Sequence, residues 1–232
     1  HIGKIQIEKI IDVNFLLDNC TFCELTQDVI NSCGEFTCGK DADIHEFFHS
    51  EYQDYSTHLL GKSYCFVENK NPGEIVCAFT VANSSIKVDG LPNKKRNKLN
   101  RKIPHAIRHA QYPAVLVGQI AVFDKYKGRQ IGDELMDFIK SWFIEPLNKT
   151  GCRYVIVDAV NHEKVRSFYE SNGFQYIFSS DNEEFRYMTN SSDKDSWLHR
   201  IKNMLCHSSA SKSIYRKTRL MFYDLIVLYS KV

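Results

Sequence analysis

Between residues 126 and 136 the chain reads YKGRQIGDELM, with two glycines, two cations and a glutamine where a strand-like run hands over to a helical pattern. Backbone N–H groups at the start of a helix have no partner within it and carry the positive end of its dipole. Glycines at 128 and 132 permit tight or positive-φ geometry and keep side chains out of a ligand's path. Lys127 and Arg129 add positive charge. Such a stretch is either a plain turn or a cradle for a pyrophosphate. Two common phosphate signatures do not fit. Gly132 is not followed by Lys and Ser or Thr, and Gly128 and Gly132 are four apart rather than in a GxGxxG pattern. A classical nucleotide triphosphatase or dinucleotide fold is therefore disfavoured.

Charge marks a second region. From residue 90 to residue 123 there is no Asp or Glu, while Lys94, Lys95, Arg96, Lys98, Arg101, Lys102 and Arg108 supply seven cations, with His105 and His109 beside them. The block is either a solvated loop or a footprint for an anionic partner. The two histidines have an intrinsic pKa suited to a general base. Of eight cysteines, Cys20 and Cys23 have the spacing that opens a zinc site. Cys33 and Cys38 are spaced differently and no histidine lies among the four, so no metal is expected and the thiols read as reduced and cytosolic.

The elements that must position these residues follow from periodicity. Residues 5–11 alternate as an opening strand does. Residues 43–60 have helical spacing, with Asp41 or Asp43 as N-cap and Gly61 as stop. Strands at 63–68 and 75–81 flank Asn71-Pro72-Gly73 as a hairpin, the second continuing through 86–88. Residues 89–112 read as a basic insertion, with a short helix near 103–109. Residues 114–123 form the central strand, and Gly118 within it predicts a bulge or a close backbone approach. A helix over 132–143, a buried strand over 153–160, a helix over 162–171 ended by Asn172-Gly173, and a strand over 174–178 come next. Residues 179–217 are a polar insertion with a short helix around 197–206, and 219–229 is a closing strand. The strand–helix–strand unit at 114–160 requires parallel pairing and the hairpin antiparallel pairing. Together they predict a mixed α/β, mostly antiparallel sheet flanked by helices, in one domain over 1–232.

The opening stretch resembles the acyl-CoA-binding motif of the Gcn5-related N-acetyltransferases, [Q/R]-x-x-G-x-[G/A] after a central strand. Lys127 takes the first place, Gln130 the first glycine's and Gly132 the second's. Downstream, Phe168-Tyr169-Glu170-Ser171-Asn172-Gly173-Phe174 is similar to the family's F/L-Y-x-x-x-G-F element, and Phe36-Thr37-Cys38-Gly39 before a helix is similar to a subgroup that includes toxin acetyltransferases. The resemblance implies the family fold and acetyl-CoA as acyl donor. It implies that backbone groups of Ile120, Ala121 and Val122 pair with the pantetheine. Lys127, Gly128, Arg129, Gln130, Ile131 and Gly132 then hold the pyrophosphate, and Asn161 helps hold the pantetheine arm. Tyr169 lies where the family's acid protonates the departing thiolate. Gln130 departs from a near-constant glycine; it fits this place with a negative φ, and its side chain is expected to weaken binding.

The function implied is direct transfer of an acetyl group to a primary amine. The acceptor is unassigned. Arg101, Lys102, His105, Arg108 and His109 are the candidates for touching it, and a transfer RNA is one acceptor such a basic surface suits. The alternatives are a toxin-like acetyltransferase of aminoacyl-tRNA, with a neutralising partner protein, and a non-catalytic acyl-CoA-sensing or nucleic-acid-binding module. A composition of 43% hydrophobic and 25% charged residues suits a globular chain. No apolar run reaches the roughly 18 residues of a membrane helix, and no secretory pattern opens the sequence. The expected location is the cytoplasm, and oligomeric state is not legible.

Overall fold

The structure, a computed structural model, describes residues 14–39, 41–69, 73–88, 91–100, 103–105, 110–148, 150–192 and 215–229. The strand expected at 5–11 and the helix expected at 197–206 lie outside them. Among the described residues, the strands are β1 (Cys20–Glu24), β2 (Lys62–Glu68), β3 (Ile75–Lys87), β4 (Gln111–Val122), β5 (Tyr154–Val160), β6 (Gln175–Tyr176) and β7 (Thr218–Asp224). They form one sheet in the order β1-β2-β3-β4-β5-β7-β6. Every neighbouring pair is antiparallel except β4 and β5, which are parallel. This is the mixed, mostly antiparallel sheet that the hairpin and the strand–helix–strand unit require.

The helices are α1 (Phe15–Asn19), α2 (Gln27–Ser32), α3 (Ala42–Glu46), α4 (Tyr52–Thr57), α5 (Asn93–Asn100), α6 (Ile131–Trp142), α7 (Glu163–Ser171), α8 (Asp181–Ser192) and α9 (Ile226–Tyr229). A π-helical turn, Phe47–Glu51, joins α3 to α4. Asp41 caps α3, accepting from the Ile44 N–H. The helical run ends at Thr57 with His58 as C-cap and Leu59 in the left-handed region at φ 57°, ahead of the expected stop at Gly61, and β2 starts at Lys62.

Side chains of β3, β4 and β5 alternate between two faces. Val115, Val117, Phe79, Val155 and Val157 join Ile131, Leu135, Met136 and Ile139 of α6 and Tyr169 of α7 in one core. The other face carries two separate cores. Ala78 and Ala121 pack with Phe47, Phe48 and Tyr52 from the α3–α4 run. Ala114, Tyr154 and Ile156 pack with Leu91, Leu99 and Phe178 around α5 and the start of α8. The gap between these two cores lies along the middle of β4.

Several elements differ from the sequence expectation, and α1, β1 and α2 stand where it assigns none. The basic segment holds an unexpected helix at Asn93–Asn100, within the cation run, while most of the helix expected near 103–109 lies outside the described residues; β4 begins at Gln111 rather than 114. Lys, Arg and Asn without apolar periodicity read as loop, yet Leu99 alone anchors the helix, buried against Tyr154, whose hydroxyl donates to the Leu99 carbonyl. The polar insertion contains α8, held by a side chain no pattern reveals: fully buried Glu184 accepts from Arg219 Nε at 2.8 Å and from the Leu220 N–H. The closing strand stops at Asp224, where α9 begins after a turn.

Candidate active site

The central strand splits from its parallel neighbour. The β4–β5 ladder runs from Ala114↔Tyr154 to Val117↔Val157 and stops, while β4 continues to Val122. On its other side, Val81 faces Val117 but Phe79 faces Ile120, so β4 spends one extra residue at 118–119. That is the bulge the sequence predicts at Gly118. The extra residue rephases the alternation, and Ile120 and Val122 point to the α6 core as Val115 and Val117 do. A Cβ at Gly118 would meet nothing within 4 Å. Gly118 thus lies in the gap between the two cores of the opposite face.

After Val122 a 3₁₀ turn, Asp124–Tyr126, leads into the loop at 127–130 and then α6. Gly128 has φ +77° and Gln130 φ +61°. Gln130 therefore stands in the left-handed conformation that favours glycine; the negative φ expected for it is not what the chain adopts. Two left-handed residues two apart turn successive N–H groups toward one side, the geometry of an anion-binding nest. Among the described residues, no protein acceptor receives an N–H of Gly128, Arg129, Gln130, Ile131 or Gly132. Gly132 has another task than clearing a ligand's path: a Cβ there would lie 3.1 Å from the Phe168 ring, so its glycine lets α6 start against α7. Ile131 is buried in the core and offers the loop its backbone only.

The acidic residues of the first turn of α6 are drawn away from this nest. Asp133 accepts from Asn172 Nδ2 at 2.7 Å and Glu134 accepts from the Leu16 N–H at 2.9 Å. Lys127 pairs with Asp124 at 2.6 Å, and Arg129 stacks over the Tyr126 ring with Cζ 5.4 Å from its centroid. The segment Phe36-Thr37-Cys38-Gly39 docks here as well. The Asp124 N–H donates to the Thr37 carbonyl, and Thr37 Oγ1 donates to Asp124 Oδ2 at 2.7 Å. Lys127 first and Thr37 second hold the Asp124 carboxyl below the usual carboxylate range. Asp124 and Thr37 are site-building residues that sequence reasoning missed, because the link spans 87 positions.

Asn161 closes β5. Its Nδ2 donates to Asp181 Oδ2 at 3.1 Å and to the Arg216 carbonyl at 2.8 Å. Its Oδ1 is buried with no hydrogen-bond partner. A buried acceptor left unpaired costs about 1–3 kcal/mol, so it suits an incoming amide N–H such as a pantetheine arm carries. Tyr169 projects from α7, one residue past the Phe168 that touches Gly132. It is 6% exposed, between Phe168 and Phe174. Burial alone pushes its phenol up to about 12, and no described residue hydrogen-bonds it. It is therefore a protonated donor throughout the neutral range.

On the opposite face, α5 packs over the start of β5 and over β7, through Leu99 among Tyr154 and Phe222. Lys94, Lys95, Arg96 and Lys98 of this helix make no ion pair among the described residues; Lys98 donates to Gln175 and Arg96 to Asn93. His105 is exposed in a left-handed turn at φ 55°. Arg101, Lys102, Arg108 and His109 lie outside the described residues. Sequence reasoning also passed over His49. It stacks on Phe36, donates to the Phe36 carbonyl, and is held below the usual histidine range mainly by burial. No helix among the described residues is long and apolar enough to cross a membrane.

Comparison with known proteins converges on this region. A family model described as an acetyltransferase (GNAT) domain matches residues 99–176. Over 120 residues the chain is 27% identical to the tRNA-acetylating toxin of Mycobacterium tuberculosis (strain ATCC 25618 / H37Rv), covering 52% of this chain and 66% of that protein. The fold is similar to AtaT complexed with acetyl-methionyl-tRNAfMet, with a TM-score of 0.56 and 16% identity over 92% of this chain and 99% of that one. It is also similar to AtaTR bound with AcCoA, with a TM-score of 0.55 and 18% identity over 91% and 99%. Residues 99–176, which include the split strands β4 and β5, are thus similar to the GNAT acetyltransferase domain, and the fold as a whole is similar to that of the two solved structures.

Proposed function

We propose that the chain transfers an acetyl group from acetyl-CoA to a primary amine by direct attack, without a covalent enzyme intermediate. The observation that carries this reading is the pair of left-handed residues, Gly128 and Gln130, whose loop presents unpartnered N–H groups where β4 leaves β5. In this reading the pyrophosphate sits on Lys127–Gly132, with Arg129 free to swing from Tyr126. The pantetheine runs along the unpaired edge at Ile120, Ala121 and Val122, and Asn161 Oδ1 receives one of its amide protons. The amine approaches from the opposite face through the gap at Gly118. Its lone pair adds to the thioester carbonyl, the C–S bond breaks, and Tyr169 donates its phenolic proton to the leaving sulfur. Burial that raises the phenol also raises the thiol being formed, so the two basicities stay matched enough for transfer. The order β5-β7-β6 places the strand after the second polar insertion inside the sheet. This supports reading 1–232 as one domain with polar insertions ahead of β4 and ahead of β7; we place its action in the cytoplasm.

One observation narrows the acceptor. On the same face as the gap, helix α5 carries four cations with no ion pair among the described residues, a surface suited to phosphates rather than to a small amine. The relative from Mycobacterium tuberculosis is named a tRNA-acetylating toxin and AtaT is solved with an acetylated aminoacyl-tRNA. We therefore favour the amino group of an aminoacyl-tRNA, in a toxin-like enzyme that a partner protein neutralises. Thermal-shift titrations with acetyl-CoA and with CoA test the donor: stabilisation by both is expected, and no shift at millimolar ligand would sink the reading.

A further inference from the structure

Cys23 in β1 and Cys65 in β2 are register partners across an antiparallel pair. Residues so placed have Cα atoms roughly 4.5–5.5 Å apart, inside the about 4.4–6.8 Å that a disulfide spans. Their sulfurs are 3.6 Å apart, with one thiol donating to the other. The two differ in access. Cys65 is fully buried, whereas Cys23 is half-buried on β1, which has no strand beyond it among the described residues.

We infer that Cys23 and Cys65 are a redox-active dithiol, closed to a cross-strand disulfide by hydrogen peroxide, with Cys23 reacting first and Cys65 resolving. The Cys23 thiolate attacks a peroxide oxygen and breaks the O–O bond, giving a sulfenic acid and water once the leaving hydroxide takes up the proton Cys23 released. The Cys65 thiol, held well above the usual thiol range by its bond to Cys23 and by burial, gives its proton to the departing hydroxyl as its sulfur attacks the Cys23 sulfur; the S–O bond breaks and a second water leaves. Two thiols and one peroxide become one disulfide and two waters. The Cys65 thiol donating to Cys23 holds Cys23 below the usual thiol range, at about 7, which favours its thiolate near neutral pH. Other thiols contrast with it. Burial pushes Cys20, Cys38 and Cys152 up to about 11, and Cys77 is fully buried and raised further.

The bond would close a loop of 42 positions. That loop holds α2, α3 and α4 and the Thr37 that grips Asp124 beside the candidate cofactor loop. Oxidation thus staples the edge of the sheet at the root of the segment that docks on Asp124.

The test is intact-mass analysis and peptide mapping of the full native chain, reduced, freed of reductant and exposed to equimolar peroxide. The expected result is loss of two hydrogen masses, a cross-linked pair of peptides containing Cys23 and Cys65, and a melting temperature raised by about 5–10 °C. In Cys65→Ala, Cys23 should stop at a sulfenic acid that dimedone traps; in Cys23→Ser, Cys65 should stay reduced. An unchanged mass, a cross-link between other cysteines, or sulfinic acid on Cys23 with Cys65 still free would each overturn the proposal.

Discussion

Asp181 accepts an amide proton from Asn161 at 3.1 Å, and this bond, with the one to Arg216, leaves the Asn161 carbonyl oxygen buried and unpaired. An asparagine with both donors spent is fixed in orientation, because a flip would set its oxygen against two acceptors. The polar insertion thereby orients a residue at the end of β5. Asn161→Ala should raise KM for acetyl-CoA about 3–10-fold, the worth of one hydrogen bond, with a smaller effect on kcat. Asp181→Asn should act in the same direction by letting the amide turn. Steady-state kinetics with the donor varied checks both; an unchanged KM in both variants would remove Asn161 from the site.

Gln130 carries left-handed strain that a glycine would not. For a residue other than glycine this region costs roughly 1–2 kcal/mol, part of which glycine's greater freedom in the unfolded chain offsets. Gln130→Gly should raise the melting temperature by about 1–3 °C and hold or improve donor affinity. Gln130→Val, branched at Cβ, should lower both. Calorimetric melting and donor titration of the three proteins decide it.

Gly132→Ala separates packing from ligand clearance. The new methyl would press on Phe168 at 3.1 Å, so the helix start must shift by a few tenths of an ångström. Destabilisation of about 1–2 kcal/mol is expected, together with weaker donor binding because the loop moves with α6. Gly128→Ala meets open space and is penalised only through its φ of +77°. Denaturant melts should therefore show losses of similar size, through the backbone at Gly128 and through Phe168 at Gly132.

Tyr169→Phe removes one oxygen from a site in the core and should leave the fold intact while lowering kcat about 10²-fold or more. The sign of the pH dependence follows from burial. A phenol raised to about 12 is protonated at every pH below that, and the donor form is lost only as pH rises through it. The rate should climb from pH 6 to 9 as the acceptor amine deprotonates, with no falling limb below about pH 10. A falling limb centred near pH 7 to 8 would assign the acid role to another group.

The basic helix predicts a salt effect. Replacing Lys94, Lys95, Arg96 and Lys98 by Gln should weaken binding to a transfer RNA and flatten the slope of log affinity against log salt by up to roughly 3–4. Donor affinity should not change. Filter binding across a salt series measures the first and calorimetry the second.

How far the site was legible depends on sequence distance. The central strand, its bulge at Gly118, the loop at 127–132 and the Phe168–Phe174 element were readable because each is local, written in glycines and in alternation between polar and apolar residues. The hairpin was readable for the same reason. Helix α5 was not legible because its cations and asparagines carry no apolar period; one buried leucine, Leu99, fixes it. Helix α8 was missed because Glu184 and Arg219, 35 positions apart, hold it through a buried ion pair. The grip of Thr37 on Asp124 and of Asp181 on Asn161 are likewise links between distant segments. The left-handed Gln130 ran against residue preference, since the loop geometry imposed its φ on whatever residue stood there. Gly132 was read as clearance for a ligand, whereas its neighbour is Phe168.

The central claim is that the loop between β4 and α6 holds the pyrophosphate of an acyl-CoA. Calorimetric titration of the purified chain with acetyl-CoA, and with acetyl-pantetheine lacking the nucleotide and pyrophosphate, tests it most directly. The account predicts saturable one-to-one binding of acetyl-CoA, weakened at least about tenfold when the pyrophosphate is missing, the loss expected from several charge-assisted hydrogen bonds. Equal affinity for the two compounds, or no binding of either at millimolar concentration, would contradict it.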